Sequence, residues 1–169
     1  MKYKVVKKQR NSTKCIVCGL NNELGLKAAF YELENGELVA IFKPVEEHQS
    51  YPGRMHGGIS SAILDEVIGR AILVKDESMW GVTAEISLKY RKPVPLNEEL
   101  RVVGRITKDS KRIFEGTGEI ILKNGDVAVS AAGKYIKMPL DKITDSEFNE
   151  DEWIVFQNGD DPDEIELNY

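Results

Sequence analysis

Residues 56–75 constrain this chain more than any other stretch. His56-Gly57-Gly58 opens directly into a segment whose apolar positions, 59, 62, 63, 64, 67, 68, 71, 72, 73 and 74, cover most of a helix circumference. The spacing predicts a helix from Gly57 to Val74 or Lys75. A helix apolar on nearly every side has to be wrapped by other elements. Asp65 lies in its middle, and Ser61, Asp65 and Gly69, spaced by four, form one narrow stripe of small and polar residues. Burying an unpaired carboxylate is costly. Asp65 is therefore either paired, with Arg70 as a basic partner in reach, or it faces a cleft where the carboxylate is used.

The flanking sequence has period two. Leu26–Leu33 and Leu38–Lys43 read as strands joined at Asn35-Gly36, a hairpin signal in which both residues would take positive φ. After the helix, Val82–Arg91 alternates, and Leu100–Thr107, Ile113–Leu122 and Val127–Ile136 follow across short turns, one of them Asn124-Gly125. The order β-β-α-β-β-β-β with short connections predicts an α+β fold, a mainly antiparallel sheet curved around one central helix. Its free strand edges predict self-association.

At 169 residues one domain is expected. No run of eighteen apolar residues occurs, so no membrane span is expected. The basic N-terminus is not followed by an apolar stretch, which reads as a cytoplasmic protein. Residues 140–169 hold eleven of the 28 acidic residues and one of the 23 basic ones, a balance of −10 that leaves +5 for residues 1–139. A mildly basic body suits a small anionic ligand and, without clustered basic and aromatic residues, does not suit nucleic acid. Residues 1–14 read as a flexible segment, 15–139 as the domain, and 140–169 as an acidic solvated tail.

The chemistry concentrates at the helix start. Backbone N–H groups of the first helical turn lack intrahelical partners and carry the positive end of the dipole, and glycines let a ligand approach them. Gly57 and Gly58 thus offer a site for a carbonyl oxygen that gains charge, with Asp65 two turns on as base or nucleophile: the equipment of acyl transfer. His56 reads as a helix-start residue whose ring bonds backbone, His48 as a loop residue, and Glu66 as a surface or interface carboxylate. Arg91 and Lys92 read equally as surface charges or as partners for phosphate. Cys15 and Cys18 form one C-x-x-C without enough further ligands for zinc and without a following βαβ unit. They read as structural or bystander cysteines ahead of metal or redox chemistry, and no metal site is expected.

Four segments carry a family resemblance: Cys15–Asn21 with Gly25-Leu26; His56-Gly57-Gly58 with Asp65 nine residues after the histidine; Gly81–Pro95; and Leu100–Gly104. Together they resemble the hotdog-fold acyl-CoA thioesterases of the phenylacetate-degradation (PaaI-like) type, over roughly residues 15–138. The resemblance implies a long helix in a six-stranded antiparallel sheet and a homodimer or homotetramer with active sites at the subunit interface. It implies hydrolysis of acyl-CoA with Asp65 as base or nucleophile facing the glycine loop of another subunit, the Gly57 N–H on the thioester carbonyl, and Thr83 orienting the attacking water. His56, Gly58, Ser50, Gln49 and Ser61 would line the substrate site. Ser50 stands where several relatives have asparagine. No cofactor beyond the coenzyme A of the substrate is implied. An acyl-thioester dehydratase or hydratase and a non-catalytic acyl-CoA sensor are the alternative readings.

Overall fold

The structure is a computed structural model that describes residues 1–145, 150–157 and 159–168. In chain order its elements are β1 (Lys2–Lys8), β2 (Asn11–Ser12), β3 (Ala29–Leu33), β4 (Leu38–Phe42), α1 (Gly57–Arg70), β5 (Gly81–Tyr90), β6 (Leu100–Asp109), β7 (Ile113–Ile121), β8 (Val127–Lys137), β9 (Trp153–Ile154) and β10 (Glu164–Glu166). Eight of the strands form one antiparallel sheet in the order β10-β1-β3-β4-β6-β7-β8-β5, and β2 pairs with β9. Helix α1 stops four or five residues before the expected end, and Ala71–Val74 tighten into a 3-10 turn as the Ala71 N–H is shared between the carbonyls of Val67 and Ile68.

Helix α1 sits against β6, β7 and β8 through Ile63, Leu64, Val67 and Ile68, all fully buried among Val102, Phe114, Ile120 and Val129. The strands beneath it are notched by glycines. A Cβ on Gly104 would lie 2.7 Å from the Val67 carbonyl oxygen, and one on Gly116 would lie 2.7 Å from Ile68 Cγ2. Gly104 and Gly118 are cross-strand partners, as are Gly116 and Gly133. The sheet therefore presents a trough without side chains, and the helix backbone lies closer to it than ordinary packing permits.

The strands after the helix fall within two residues of their predicted bounds, and the class, a central helix on a curved antiparallel sheet, is the expected one. The differences have local causes. The sheet has eight strands in place of six because both chain ends join it. The segment expected to be flexible is β1, paired to β3 on one side and β10 on the other. The acidic tail is likewise not merely a solvated end: Lys2 stands opposite Glu166 and Lys4 opposite Glu164. The charge asymmetry between the termini is thus an antiparallel pairing of opposite charges. Ile165 and Leu167 close a second apolar cluster with Tyr31, Leu33, Val39, Val103 and Ile121 on the sheet face away from α1. The first hairpin strand begins at Ala29, since Lys27 takes a left-handed φ of 51°. At both Asn-Gly turns only the glycine has positive φ, 82° at Gly36 and 86° at Gly125. Each glycine N–H bonds back three residues, to Leu33 and Leu122. These are turns closed by a glycine bulge, not the two-residue turns expected.

Candidate active site

His56 caps α1. Its backbone is extended (φ −63°, ψ 139°), its Nδ1 accepts the Gly58 N–H at 2.8 Å, and its carbonyl accepts the N–H groups of Ile59 and Ser60. That leaves the Gly57 N–H with no acceptor among the described residues, at the positive end of the helix. The Gly57 carbonyl accepts the Tyr90 hydroxyl at 2.8 Å, which ties the end of β5 to the start of the helix. A shallow cavity of about 310 Å³ opens here, lined by Met55, Gly57, Ser60, Tyr90, Arg91 and Lys92 among others. Lys92 is paired to Asp126, and Arg91 is exposed.

His48 is fully satisfied and buried. Its Nδ1 accepts the Val45 N–H, its Nε2–H donates to the Leu24 carbonyl at 2.9 Å, and its own carbonyl accepts the His56 N–H at 2.8 Å. It pins the loop that delivers the chain to the helix.

Two turns along α1, half-buried Asp65 is held by one oxygen. Oδ1 accepts Thr83 Oγ1–H at 2.8 Å and the Tyr135 hydroxyl at 3.0 Å, the latter shared with the Asp65 carbonyl. Oδ2 has no partner among the described residues. Thr83 and Tyr135 are direct cross-strand partners on β5 and β8, and the register slips immediately beyond them. The two donors therefore reach the carboxylate from adjacent strands. The Tyr135 ring stacks on Phe114 at 4.9 Å and passes over Gly69, where a Cβ would be 3.2 Å from the ring. Burial, reinforced by the Asp65 charge, pushes the Tyr135 phenol well above its ordinary range, so it stays a proton donor. The small residue four positions after Asp65 is thus the space through which its donor arrives.

Arg70 is not the partner of Asp65. It is buried and bound to Glu66 at 2.7 Å, to the Arg10 carbonyl at 2.8 Å and to Cys18 Sγ at 3.1 Å. Glu66, read from sequence as a surface carboxylate, is therefore the counterion of a buried guanidinium. It points about 100° around the helix from Asp65. A separate cavity of about 280 Å³, lined by Arg70, Trp80 and Trp153 among others, shares no residue with the cavity at Gly57.

The structure brings Asp65 and Thr83 together, and separately gathers His56, Gly57 and Gly58. It does not bring the two groups to one point. Eight residues of helix put Gly57 and Asp65 about 12 Å apart along the axis, so one carbonyl cannot touch both within a single chain. Ser50 and Gln49 are exposed and committed locally: Ser50 Oγ accepts the Tyr51 N–H at 2.6 Å and Gln49 Oε1 accepts the Gly53 N–H at 2.9 Å. Ser61 is half-buried, with no side-chain hydrogen bond among the described residues. Tyr135 and Tyr90 were not anticipated. The only sequence signal for Tyr135 is its place in an alternating strand, which says nothing of the helix residue it meets.

Residues 52–129 match the model of the thioesterase superfamily. Human acyl-coenzyme A thioesterase 13 is 26% identical over 101 residues, covering 60% of this chain and 67% of the relative. A crystal structure described as a thioesterase superfamily protein superposes with a TM-score of 0.67 at 30% identity, covering 72% of this chain and 59% of that one. This chain therefore spans less than two thirds of that protein. The E. coli PaaI protein of the phenylacetic acid degradation operon has a TM-score of 0.61 at 14% identity, covering 67% of this chain and 80% of its own, a likeness of fold.

Proposed function

We propose that this chain, whose residues 52–129 match the thioesterase superfamily model, is a member of that superfamily and hydrolyses acyl-CoA thioesters to a free acid and coenzyme A. The observation that carries the reading is the Asp65 carboxylate, fixed through Oδ1 by two hydroxyl donors and, among the described residues, without a partner at Oδ2. Two donors on one oxygen fix the direction of the other. Oδ2 takes the proton of a water that attacks the thioester carbon, or attacks that carbon itself. The carbonyl oxygen, as it gains charge, rests on the Gly57 N–H. The carbon–sulfur bond breaks and coenzyme A leaves as its thiol. Arg91 lines the Gly57 cavity, and in this reading its guanidinium meets phosphate of the coenzyme.

The separation of about 12 Å between Gly57 and Asp65 makes self-association part of the proposal. Each site uses Asp65 of one copy and Gly57 of another. Strand β5 supports this, since among the described residues it is a sheet edge paired to β8, and it carries Thr83, which bonds Asp65, and Tyr90, which bonds Gly57.

A complementation experiment tests both halves. Gly57→Pro removes the N–H at a helical position that tolerates proline, and the extended backbone of His56 already suits a following proline. Asp65→Asn removes the base. Each variant alone should release almost no thiol from acyl-CoA. Mixed and allowed to exchange subunits, they should recover about one quarter of wild-type activity, because half the assemblies are mixed and each of those holds one intact site. Mixing without recovery, while both variants assemble normally, would refute the shared site. Full activity of Asp65→Asn alone would refute the mechanism.

A further inference from the structure

The two cysteines serve neither half of that site, and their surroundings are more specific than structural cysteines need. Cys15 to Gly19 is one helical turn, closed by the Gly19 N–H on the Cys15 carbonyl at 2.8 Å. A Cβ at Gly19 would fall 2.3 Å from that carbonyl oxygen, so the turn depends on glycine. The turn puts residues i and i+3 on one face. Cys15 Sγ, Cys18 Sγ and a Glu66 carboxylate oxygen lie within 4.8 Å of one another, with both thiols free. Cys15 is partly open to solvent, and its sulfur accepts the N–H groups of Val17 at 3.3 Å and Cys18 at 3.4 Å. Cys18 is buried, and its sulfur accepts the Ser12 N–H at 3.3 Å and Arg70 Nη2 at 3.1 Å. Arg70 cannot withdraw, being clamped by Glu66 and stacked between Phe30 and Trp153.

We propose that Cys15 and Cys18 are a redox-active dithiol that a hydroperoxide oxidises to an intrachain disulfide. The accessible sulfur, Cys15, is the nucleophile. As thiolate it attacks the terminal peroxide oxygen and breaks the O–O bond, becoming a sulfenic acid while the alcohol or water leaves with a proton. Cys18 Sγ then attacks Cys15 Sγ. The S–S bond forms, the S–O bond breaks, and the Cys18 proton leaves with hydroxide as water. Two thiols and one hydroperoxide give one disulfide, one water and one alcohol or second water. A dithiol reductant reverses the change by two exchange steps. Two environments divide the labour: the bond from Cys18 together with backbone N–H groups brings the Cys15 thiol down to about 6, while the same bond and burial push Cys18 well above the thiol range. The same three donors do not suit a divalent cation. A fixed guanidinium touches one of the sulfurs and is paired to the carboxylate, so a metal would have to displace a charge that is itself buried.

The test uses the full chain, which has two cysteines. Purified protein is exposed to hydrogen peroxide, quenched, alkylated, and read by intact mass and peptide mapping. Wild type should lose both alkylatable thiols in one step and two hydrogens of mass, stay uncrosslinked between chains, and recover both thiols with dithiothreitol. Its oxidation should run about two- to threefold faster than that of free cysteine at neutral pH. Cys18→Ser should stop at a sulfenic acid on Cys15 that a cyclic dione traps, and Cys15→Ser should resist the same dose. Cys18→Ala, which adds no polar atom, repeats the measurement if serine disturbs the fold. Three results would each overturn the proposal: two thiols still alkylatable after a dose that consumes free cysteine, crosslinks between chains in place of the internal disulfide, or stoichiometric zinc held by the thiols.

Discussion

Asp65 is aimed by two donors on a single oxygen, and removing them in turn measures what the aiming contributes. Tyr135→Phe deletes only the phenolic oxygen, leaving the ring stacked on Phe114 and seated over Gly69. Thr83→Val deletes the other donor at nearly constant shape. A hydrogen bond to a charged acceptor contributes roughly 1.5–3 kcal/mol, a factor of about ten to one hundred and fifty. With either donor left, Oδ1 stays anchored, so each single variant should lose only about tenfold in kcat, at the low end of that range. With both gone, the carboxylate swings freely about its last torsion and Oδ2 no longer points at one place. The double variant should therefore fall about a thousandfold, further than the product of the singles, a coupling of more than about 1 kcal/mol. The assay is release of the coenzyme A thiol followed with a chromogenic disulfide across a substrate series. The loss should sit in kcat with KM nearly unchanged, as for a group that acts on the transition state. A double variant within threefold of wild type, its melting curve intact, would refute the argument that orienting this carboxylate matters.

The neighbouring carboxylates should separate cleanly. Glu66→Gln leaves the buried Arg70 without its counterion and should cost about 2 kcal/mol of stability, between the surface and buried limits, while the folded fraction keeps its turnover; Asp65→Asn should do the reverse, and denaturant melts beside thiol release distinguish them. Gly104→Ala drives a methyl against the Val67 carbonyl oxygen, where backbone has to shift, and should destabilise by about 1–3 kcal/mol in urea with the slope of the transition unchanged. Alkylation of Cys15 should rise with pH and reach half its plateau near 6 rather than near the ordinary 9. Because that thiol is lowered on folding, the unfolded chain binds more protons between those values, so its contribution is complete above pH 9 and fades as pH falls through 6.

The central helix, the hairpins after it and the segment that carries Asp65 were legible in the sequence because each is a short-range pattern. Period and turn residues declare an element wherever it ends up in space. Family resemblance marks Thr83 as a hydroxyl that orients the attacking water; its bond to Asp65 Oδ1 is visible only in the structure. Invisible to a linear reading was everything set by pairing across long separations. Lys2–Lys4 reads as a mobile basic end until Glu164–Glu166 lies beside it, and Glu66 reads as a surface acid until Arg70 is seen to be buried. Tyr135 is one more alternating strand residue until the register sets it opposite Thr83 and Gly69 leaves room for its ring. The sequence by itself determined which elements form and which carboxylate sits on the apolar helix. Only the tertiary structure decided that Thr83 and Tyr135 both donate to one oxygen of this carboxylate while its other oxygen has no partner among the described residues, since register across a sheet brings together residues far apart in the chain.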